Sequence, residues 1–520
     1  MSIFCYLETL RHLRLTQMTH QLKHRLYRPA LRVASPPKTH PGVTMFTEPI
    51  AKPCCYDSQG RFTFLNISDS FRDWNMDEHG MLWAYNLNYM DWLGQEGISE
   101  EECLMWLDRF IDELPSNHVG LDPYPIALRA INWAKFLSRH PQGCNKKRID
   151  SMYAQILLLE HKLEYHLLGN HLLEDAYALF IASVFFSDER LFSKAAHLLE
   201  EQLREQILPD GAHYEQSPMY HCIMLDRLLD CINFSANNQL FVLQETFTNT
   251  LKQKAALMLG HLQSIIYSDG SIPLLNDSAY DIAPTAGQLF DYARKLNILW
   301  NPIPLRECGY RKLNDKGMEV ILDIGNITAS YQPGHSHADT FNYELRIDGQ
   351  PVIIDTGIST YNKDPRRQYE RSTAAHNTVS VAGKDSSMVW GGFRVGRRAK
   401  VTIVKDCPTE ILAHHDGFGR HIIHQRHFAL CDHSIHIEDL IIGNVTNAIS
   451  YLHFSPQTDV SIVSETDGII KAGKVMIKAE GFNGISVKTD YVSTEYNKLQ
   501  PCQVLELSFQ QQLSYSIKVM

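Results

Sequence analysis

Residues 334–357 read GHSHADTFNYELRIDGQPVIIDTG, and this stretch decides the fold of the second half of the chain. Two runs rich in apolar and β-branched residues flank the dipeptide Asp348-Gly349. An Asp-Gly pair between two such runs predicts a β-hairpin with a tight turn. The hairpin would carry His337 just before its first strand and Asp355 at the end of its second.

A third side chain of the same chemical kind follows at His376, in the run RSTAAHNT. Two imidazoles and a carboxylate suit zinc, so the sequence predicts a Zn²⁺ site formed by His337, Asp355 and His376. The alternative is a hydrogen-bonded cluster without a metal. His335 lies close to His337 in the sequence and is then left free for chemistry.

Length and composition describe a large globular protein. A chain of 520 residues is too long for one compact core, so we expect two or three domains. Hydrophobic residues make up 44% and charged residues 21%, which is ordinary for a globular protein. A net charge of −10 argues against nucleic acid as the main ligand, although it leaves room for a local basic groove that binds an anionic polysaccharide. No apolar stretch is long enough to predict a transmembrane helix.

The first 35 residues are basic and rich in histidine, and their apolar positions recur at roughly helical spacing. They predict a helix packed on the main body, and the alternative is peripheral contact with an anionic membrane surface or a partner. The N-terminus lacks the apolar core and cleavage site of a secretory signal, which predicts a cytoplasmic location. Periplasmic or cell-envelope association is the alternative.

The apolar pattern of the sequence changes from helical to strand-like near residue 302. From about 70 to 300 the apolar periodicity is helical, as in Ile126–Leu137 and Ala176–Phe186, which predicts a helical array, either stacked or closed into a toroid. Beyond Pro302 short runs of Val, Ile and Thr predict an antiparallel β-sandwich. We expect a multidomain α+β protein with an arm and connector at 1–65, a helical domain at 66–302 and a sheet domain at 303–520. The predicted strands lie at 318–324, 340–347, 352–355, 378–381, 400–404, 422–430, 435–442, 450–454 and 504–519.

Five motifs in this order resemble those of the heparinase II/III-like polysaccharide lyases, and the resemblance extends over most of the chain. The motifs are GNHLLE at 169–174, DGAHYEQSPMYH at 210–221, DGSIPLLND at 269–277, RSTAAHNT at 371–378, and GGFR with the arginine pair that follows it at 391–398. The resemblance implies an incomplete (α/α) toroid packed against antiparallel β-sheets, with the substrate in the canyon between them. It also implies β-elimination at a uronic acid and a zinc ion with a structural role.

The resemblance further assigns catalytic roles to Asn170, His171, Tyr220 and His335. Asn170 and His171 would neutralise the uronate carboxylate, and Tyr220 and His335 would supply the acid and the base, in an order that the sequence leaves open. Alternatives are a helix cap for Asn170, Tyr214 in place of Tyr220, and a role for His335 in orienting the metal site.

Side chains that stack on sugar rings or bind hydroxyls and carboxylates form a second group of candidates. The predicted substrate-binding residues are Tyr85, Asn88, Tyr124, Arg129, Asn132 and Arg371, and Tyr361 is a secondary catalytic candidate. Aromatic and polar residues also fill the cores of helical arrays, which is the competing interpretation.

The sequence therefore predicts a lyase that cleaves a uronic-acid-containing anionic polysaccharide, linked to the production of a bacterial capsule or exopolysaccharide. One alternative is a non-catalytic polysaccharide-binding or assembly protein. Another is a toroid glycoside hydrolase, which needs two paired carboxylic acids. Its candidate acids are Glu174, Asp210, Glu215 and Asp277.

Overall fold

The computed structural model describes residues 3–38, 45 and 47–520. The chain opens with two helices, α1 (Ile3–Leu10) and α2 (Leu15–Leu26), and continues through an irregular segment to a hairpin of strands β1 (Arg61–Phe64) and β2 (Ile67–Ser70). No helix among the described residues is long and apolar enough to cross a membrane.

Nine α-helices then form the helical region, counted over the described residues. They are α3 (Met81–Tyr89), α4 (Glu100–Glu113), α5 (Pro123–Arg139), α6 (Lys146–Lys162), α7 (Gly169–Phe186), α8 (Glu189–Gln206), α9 (Pro218–Asn237), α10 (Gln244–Ile265) and α11 (Ala286–Lys295). Helix α7 is buried on all sides and packs against α5, α8 and α9, so it forms the centre of this region. His171 is the one residue of α7 that is not fully buried, and it marks where the helix meets solvent.

The sheet region consists of three larger antiparallel sheets and a short ribbon. One sheet has the strand order β10-β11-β12-β13-β20-β17-β16-β15, a second has β18-β19-β14-β7, and a third has β3-β4-β5-β6. The strands are β3 (Tyr310–Asp315), β4 (Met318–Asp323), β5 (Tyr343–Ile347), β6 (Gln350–Ile353), β7 (Val379–Val381), β8 (Val389–Trp390), β9 (Arg394–Val395), β10 (Val401–Cys407), β11 (Glu410–His415), β12 (Ile423–Cys431), β13 (Ser434–Ile442), β14 (Ala448–His453), β15 (Val460–Ser464), β16 (Ile469–Ala472), β17 (Val475–Glu480), β18 (Gly484–Glu495), β19 (Lys498–Phe509) and β20 (Gln512–Val519). A short helix, α12 (Pro365–Glu370), lies between β6 and β7.

The hairpin predicted from the Asp-Gly pair is β5–β6. Ile347 pairs with Gln350, and Asp348 and Gly349 both have positive φ, at 50° and 74°. Two successive positive φ values are the requirement of a two-residue turn that matches the twist of its strands. The turn brings the end of β6, where Asp355 follows, back beside the start of β5.

The N-terminal arm, defined here as residues 3–38, contacts both regions. Gln17 is buried, and its side-chain amide donates to the carbonyl of Leu167 in the helical region at 3.4 Å and to that of Tyr331 in the sheet region at 3.3 Å. The Arg14 guanidinium lies 3.6 Å from the centre of the Tyr331 ring. Helix α2 is therefore held across the junction of the two regions.

Candidate active site

The beginning of α7 places Asn170 at the junction of the two regions. Leu168 and Gly169 both have positive φ, at 61° and 62°, which turns the chain sharply into the helix. Glu215 then accepts from the backbone N–H and from the side-chain amide of Asn170, both at 2.9 Å. A Cβ atom at Gly169 would collide with the Glu215 carboxylate, so glycine is needed there for space as well as for conformation.

Tyr220 lies in the first turn of α9, which Ser217 caps through its hydroxyl. Its ring is half-buried and packs on the imidazole of His335, which comes from the loop before β5. Nε2 of His335 lies 3.3 Å from the amide nitrogen of Asn170 and 3.5 Å from a Glu215 oxygen. The structure thus brings the predicted catalytic residues Asn170, Tyr220 and His335 together.

Asp277 is the centre of the hydrogen bonds beneath the site. Its fully buried carboxylate accepts from Nδ1 of His335 at 2.8 Å, from Nε2 of His337 at 2.7 Å and from both terminal nitrogens of Arg367. Burial alone would raise the pKa of Asp277, but the Arg367 charge and the two imidazole hydrogen bonds hold it well below its usual range. Asp277 is therefore ionised, and it fixes the tautomers of both histidines.

His171 lies at the edge of the same site. Its Nδ1 is 3.0 Å from Glu164, and its ring packs on Tyr124 with centroids 4.7 Å apart. Burial lowers the pKa of His171, but the charge and hydrogen bond of Glu164 outweigh that effect, so the net shift is upward. A protonated imidazole at this position favours an anionic ligand.

The pKa of the Tyr220 phenol is also raised, but here the raised pKa favours the neutral form of the side chain. Burial raises its pKa, and the nearby carboxylates Asp277 and Glu215 raise it further, while a hydrogen bond with Tyr361 lowers it. The two phenol oxygens lie 3.3 Å apart. The shift keeps Tyr220 protonated at neutral pH. Tyr214, the competing tyrosine, is buried and pairs with Tyr331 through their hydroxyls at 3.1 Å, away from His335.

The predicted zinc ligands lie together on the other side of Asp277. Because His337 uses Nε2 on Asp277, its Nδ1 remains buried without a hydrogen-bond partner among the described residues. His376 uses Nδ1 on Asp355 at 2.8 Å, and its buried Nε2 is likewise unpartnered in the described part of the chain. The two rings lie 5.2 Å apart, centroid to centroid. The two free imidazole nitrogens can hold a metal ion. Asp355 accepts from the opposite nitrogen of His376, so it would have to exchange that hydrogen bond for the metal to become a third ligand.

A second group was not predicted. Asp210, His261 and Cys308 are buried, and their potential ligand atoms lie within 4.8 Å of one another. Asp210 also accepts from the backbone N–H groups of Arg306 and Cys308, at 3.0 and 2.9 Å. The spacing of its ligand atoms would allow this group to hold a metal ion. The hydrogen bonds of Asp210 also connect the loop after α8 to the segment before β3.

Four predicted substrate-binding residues need correction, because the structure buries them. Arg129 donates to Gln155 and to backbone carbonyls, and Asn132 donates to Tyr89 and Asp91. Asn88 bonds within the helical region, and Arg371 donates to the Ser336 carbonyl with no exposed surface. The hydrogen bonds of these buried side chains go to other residues of the scaffold, which favours a structural role over contact with a sugar. Tyr85 and Tyr124 are half-buried, and their role in substrate binding stays a prediction.

Comparison with known proteins agrees with this architecture. The model "Heparinase II/III N-terminus" matches residues 150–294, and "Heparinase II/III-like, C-terminal" matches residues 297–519, so together they account for most of the chain. A heparin-sulfate lyase of Bacteroides stercoris is 19% identical over 393 residues, which cover 66% of this chain and 56% of that protein. One of Pedobacter heparinus is 25% identical over 246 residues, which cover 41% of this chain and 36% of that protein. The matched region thus spans about half or less of the length of these relatives.

Solved structures share the fold at low sequence identity. A heparinase III crystal structure superposes with a TM-score of 0.65 and 14% identity, covering 97% of this chain and 90% of that one. A chondroitin AC lyase of Streptomyces coelicolor gives a TM-score of 0.54 with 9% identity, covering 85% and 74%. The predicted fold class, an incomplete (α/α) toroid followed by antiparallel β-sheets, is confirmed. The chain belongs to the heparinase II/III-like family.

Proposed function

We propose that this protein is a polysaccharide lyase that cleaves a uronic-acid-containing anionic polysaccharide by β-elimination. The observation that carries the proposal is the contact of Tyr220, from the helical region, with His335, from the sheet region, directly beside Asn170. Relatives named heparin-sulfate lyase and chondroitin AC lyase support a glycosaminoglycan as the substrate class.

The first requirement of the reaction is to acidify the proton at C5 of the uronate. The carboxylate next to C5 must be neutralised, or the negative charge that develops on it is too high in energy. Glu215 accepts from one N–H of the Asn170 amide, so the N–H that faces His335 would donate to the carboxylate. The raised pKa of His171 favours a positive charge nearby.

His335 is suited to act as the base. Its Nδ1–H donates to the ionised Asp277, so Nε2 carries the lone pair and faces Asn170. Nε2 would take the proton from C5, and the electrons of that C–H bond would form the double bond between C4 and C5.

Tyr220 is suited to act as the acid. Its raised pKa keeps the phenol protonated, and its ring packs on the same imidazole. As the bond between C4 and its oxygen breaks, the phenol proton would move to that oxygen. The products are an unsaturated uronate and a free hydroxyl, and the proton on His335 can restore the Tyr220 phenol.

We also propose that zinc binds His337, Asp355 and His376. The free Nδ1 of His337 and Nε2 of His376 support this assignment over a metal-free cluster. When bound, zinc would supply a fixed positive charge with a structural role. His337 and His335 share Asp277, so the occupied site would also hold the catalytic imidazole in place.

The test is ultraviolet absorbance of the purified protein with heparan sulfate, chondroitin sulfate and alginate. An unsaturated uronate absorbs, so a lyase produces an absorbance increase that Tyr220→Phe and His335→Ala abolish. Tyr491→Phe, at an exposed tyrosine, is the matched control and should keep the wild-type rate. Binding of a polymer without any absorbance change would overturn the proposal in favour of a binding or assembly protein.

A further inference from the structure

A large groove lies between the N-terminal arm and the helical region. It has a volume of about 690 Å³, and its walls are α2 with the residues after it on one side and the end of α6 with the following loop on the other. This volume falls in the range of sites that bind small molecules.

The charge of the groove is positive. Lys23, Arg25 and Arg28 line the wall formed by the arm, and none of the three has a carboxylate within 4.0 Å in the part of the chain that the structure describes. Lys162 lines the opposite wall. The acidic residues of the groove are already engaged, because Glu160 pairs with Arg190 and Lys194, and Asp122 accepts from the Tyr85 hydroxyl. The three arm cations thus have no ion-pair partner among the described residues, while Lys162 donates to the Leu121 carbonyl at 2.7 Å.

The groove borders the candidate active site along the loop after α6. In this loop Glu164 bonds His171 of the active site, while His166, close to it in sequence, stacks on His24 of the arm with ring centroids 4.2 Å apart. Tyr165 packs on His20 at a tilt, with ring centroids 4.8 Å apart. One short loop therefore has the active site on one side and the arm on the other.

A row of tyrosines makes a second connection. Tyr124 packs on His171, Tyr89 on Tyr124, and Tyr85 on Tyr89, with ring centroids 4.7, 5.9 and 6.2 Å apart. The Tyr85 hydroxyl then donates to Asp122 in the wall of the groove. Tyr85 and Tyr124 are half-buried, so the row offers aromatic surface between the two sites.

We propose that this groove is a subsite for an acidic sugar of the polymer, one that lies beyond the sugars at the cleaved bond. The inference rests on the proposed function for its substrate class. Carboxylate and sulfate groups are the anions that such a polymer carries, and the free guanidinium and ammonium groups match them. The arm lies outside both matched segments, 150–294 and 297–519, so this wall of the groove is a feature of the chain beyond the family match.

The test is binding of heparan sulfate to the full chain by titration calorimetry, in a Tyr220→Phe background so that the polymer stays intact. The triple variant Lys23→Ala, Arg25→Ala, Arg28→Ala should raise the Kd about tenfold, which corresponds to about 1.4 kcal/mol. For a tetrasaccharide that is too short to reach the groove, the triple variant should raise the Kd much less. The control is the triple variant Lys471→Ala, Lys474→Ala, Lys518→Ala. It removes the same charge from exposed positions in the eight-stranded sheet and in the turn between β16 and β17.

The outcomes separate this inference from the proposed function. Equal Kd values for the triple variant and its control, or no binding of heparan sulfate at all, would overturn the subsite. A loss of binding that is confined to the long chain supports it. If that loss occurs while the wild-type protein produces no unsaturated uronate, the subsite stands and the lyase assignment fails. Hyaluronan, which carries carboxylates without sulfates, shows which anion the groove prefers.

Discussion

The rings of Tyr220 and His335 lie 3.9 Å apart, centroid to centroid, with 30° between their planes. The tyrosine is fixed by the capped start of α9, and the histidine by its hydrogen bond to Asp277. Neither region alone contains both groups, so the reactive pair forms only when the helical and sheet regions pack together.

Replacing Tyr220 with Phe should lower kcat by about 10²–10⁴-fold, because the leaving oxygen loses its proton donor. The melting temperature should hardly change, since the only hydrogen bond found for the hydroxyl among the described residues is a long one that it accepts from Tyr361. Tyr214→Phe is the matched control. It removes a buried hydrogen bond to Tyr331, which costs about 1 kcal/mol of folding free energy, and should leave kcat unchanged. The reverse pattern would show that Tyr214 is the acid.

Replacing Asp277 with Asn should lower both activity and stability. His335 would lose the partner that fixes its tautomer, and the buried Arg367 would lose its counter-charge. Breaking a buried ion pair from one side costs about 3–5 kcal/mol of folding free energy. Kinetics and chemical denaturation measure the two effects. Asp281→Asn, an exposed aspartate in the same connection, should change neither.

Replacing Glu164 with Gln should shift the pH dependence of KM. In the wild type Glu164 raises the pKa of His171 against the effect of burial, so the positive charge persists until the pH rises through that raised value. The variant should lose the charge at lower pH, and its KM should begin to rise earlier on the alkaline side. KM measured from about pH 5 to 8 tests this. A KM profile identical to that of the wild type and of the exposed control Glu200→Gln would contradict a binding role for protonated His171.

Metal analysis should find about one zinc ion per chain, and chelation should lower the melting temperature. His376→Ala should abolish the bound zinc, because it removes the free Nε2. Cys308→Ser should retain it, since Cys308 belongs to the separate group with Asp210 and His261. If Cys308→Ser loses zinc and His376→Ala retains it, the metal binds to that second group instead.

Much of the fold could be predicted because its signals are local. The hairpin β5–β6 follows from the Asp-Gly pair, and the helices from their periodicity. The predicted run 504–519 was wrong as a single strand, because β19 and β20 are joined at Gln510-Gln511, which contains none of the usual turn residues. The predicted runs also miss strands β3, β11 and β15–β18. Polar residues interrupt the apolar pattern in several of these strands, as in β3 and β18. The domain boundaries remain predictions.

Less of the candidate active site than of the fold could be predicted from the sequence. The grouping of Asn170, Tyr220 and His335 was predicted from motifs, whereas the sharing of Asp277 by two histidines and Arg367 depends on contacts between distant segments. The residue types of Asn88, Arg129, Asn132 and Arg371 are those of sugar-binding groups, and residue type alone does not reveal that the side chains are buried. The link to capsule production, the cytoplasmic location and contact of the arm with a membrane remain predictions.

Asp277 belongs to the helical half of the chain, while all four hydrogen bonds from the side chains of His335, His337 and Arg367 come from the sheet half. Separating the two halves would leave the Asp277 carboxylate in one piece and the Arg367 guanidinium in the other. Each charge would then lose its partner at a position that is buried in the intact protein. Neither half is therefore a module that evolution or an engineer can exchange alone. Heat should unfold the two halves in one cooperative step rather than two.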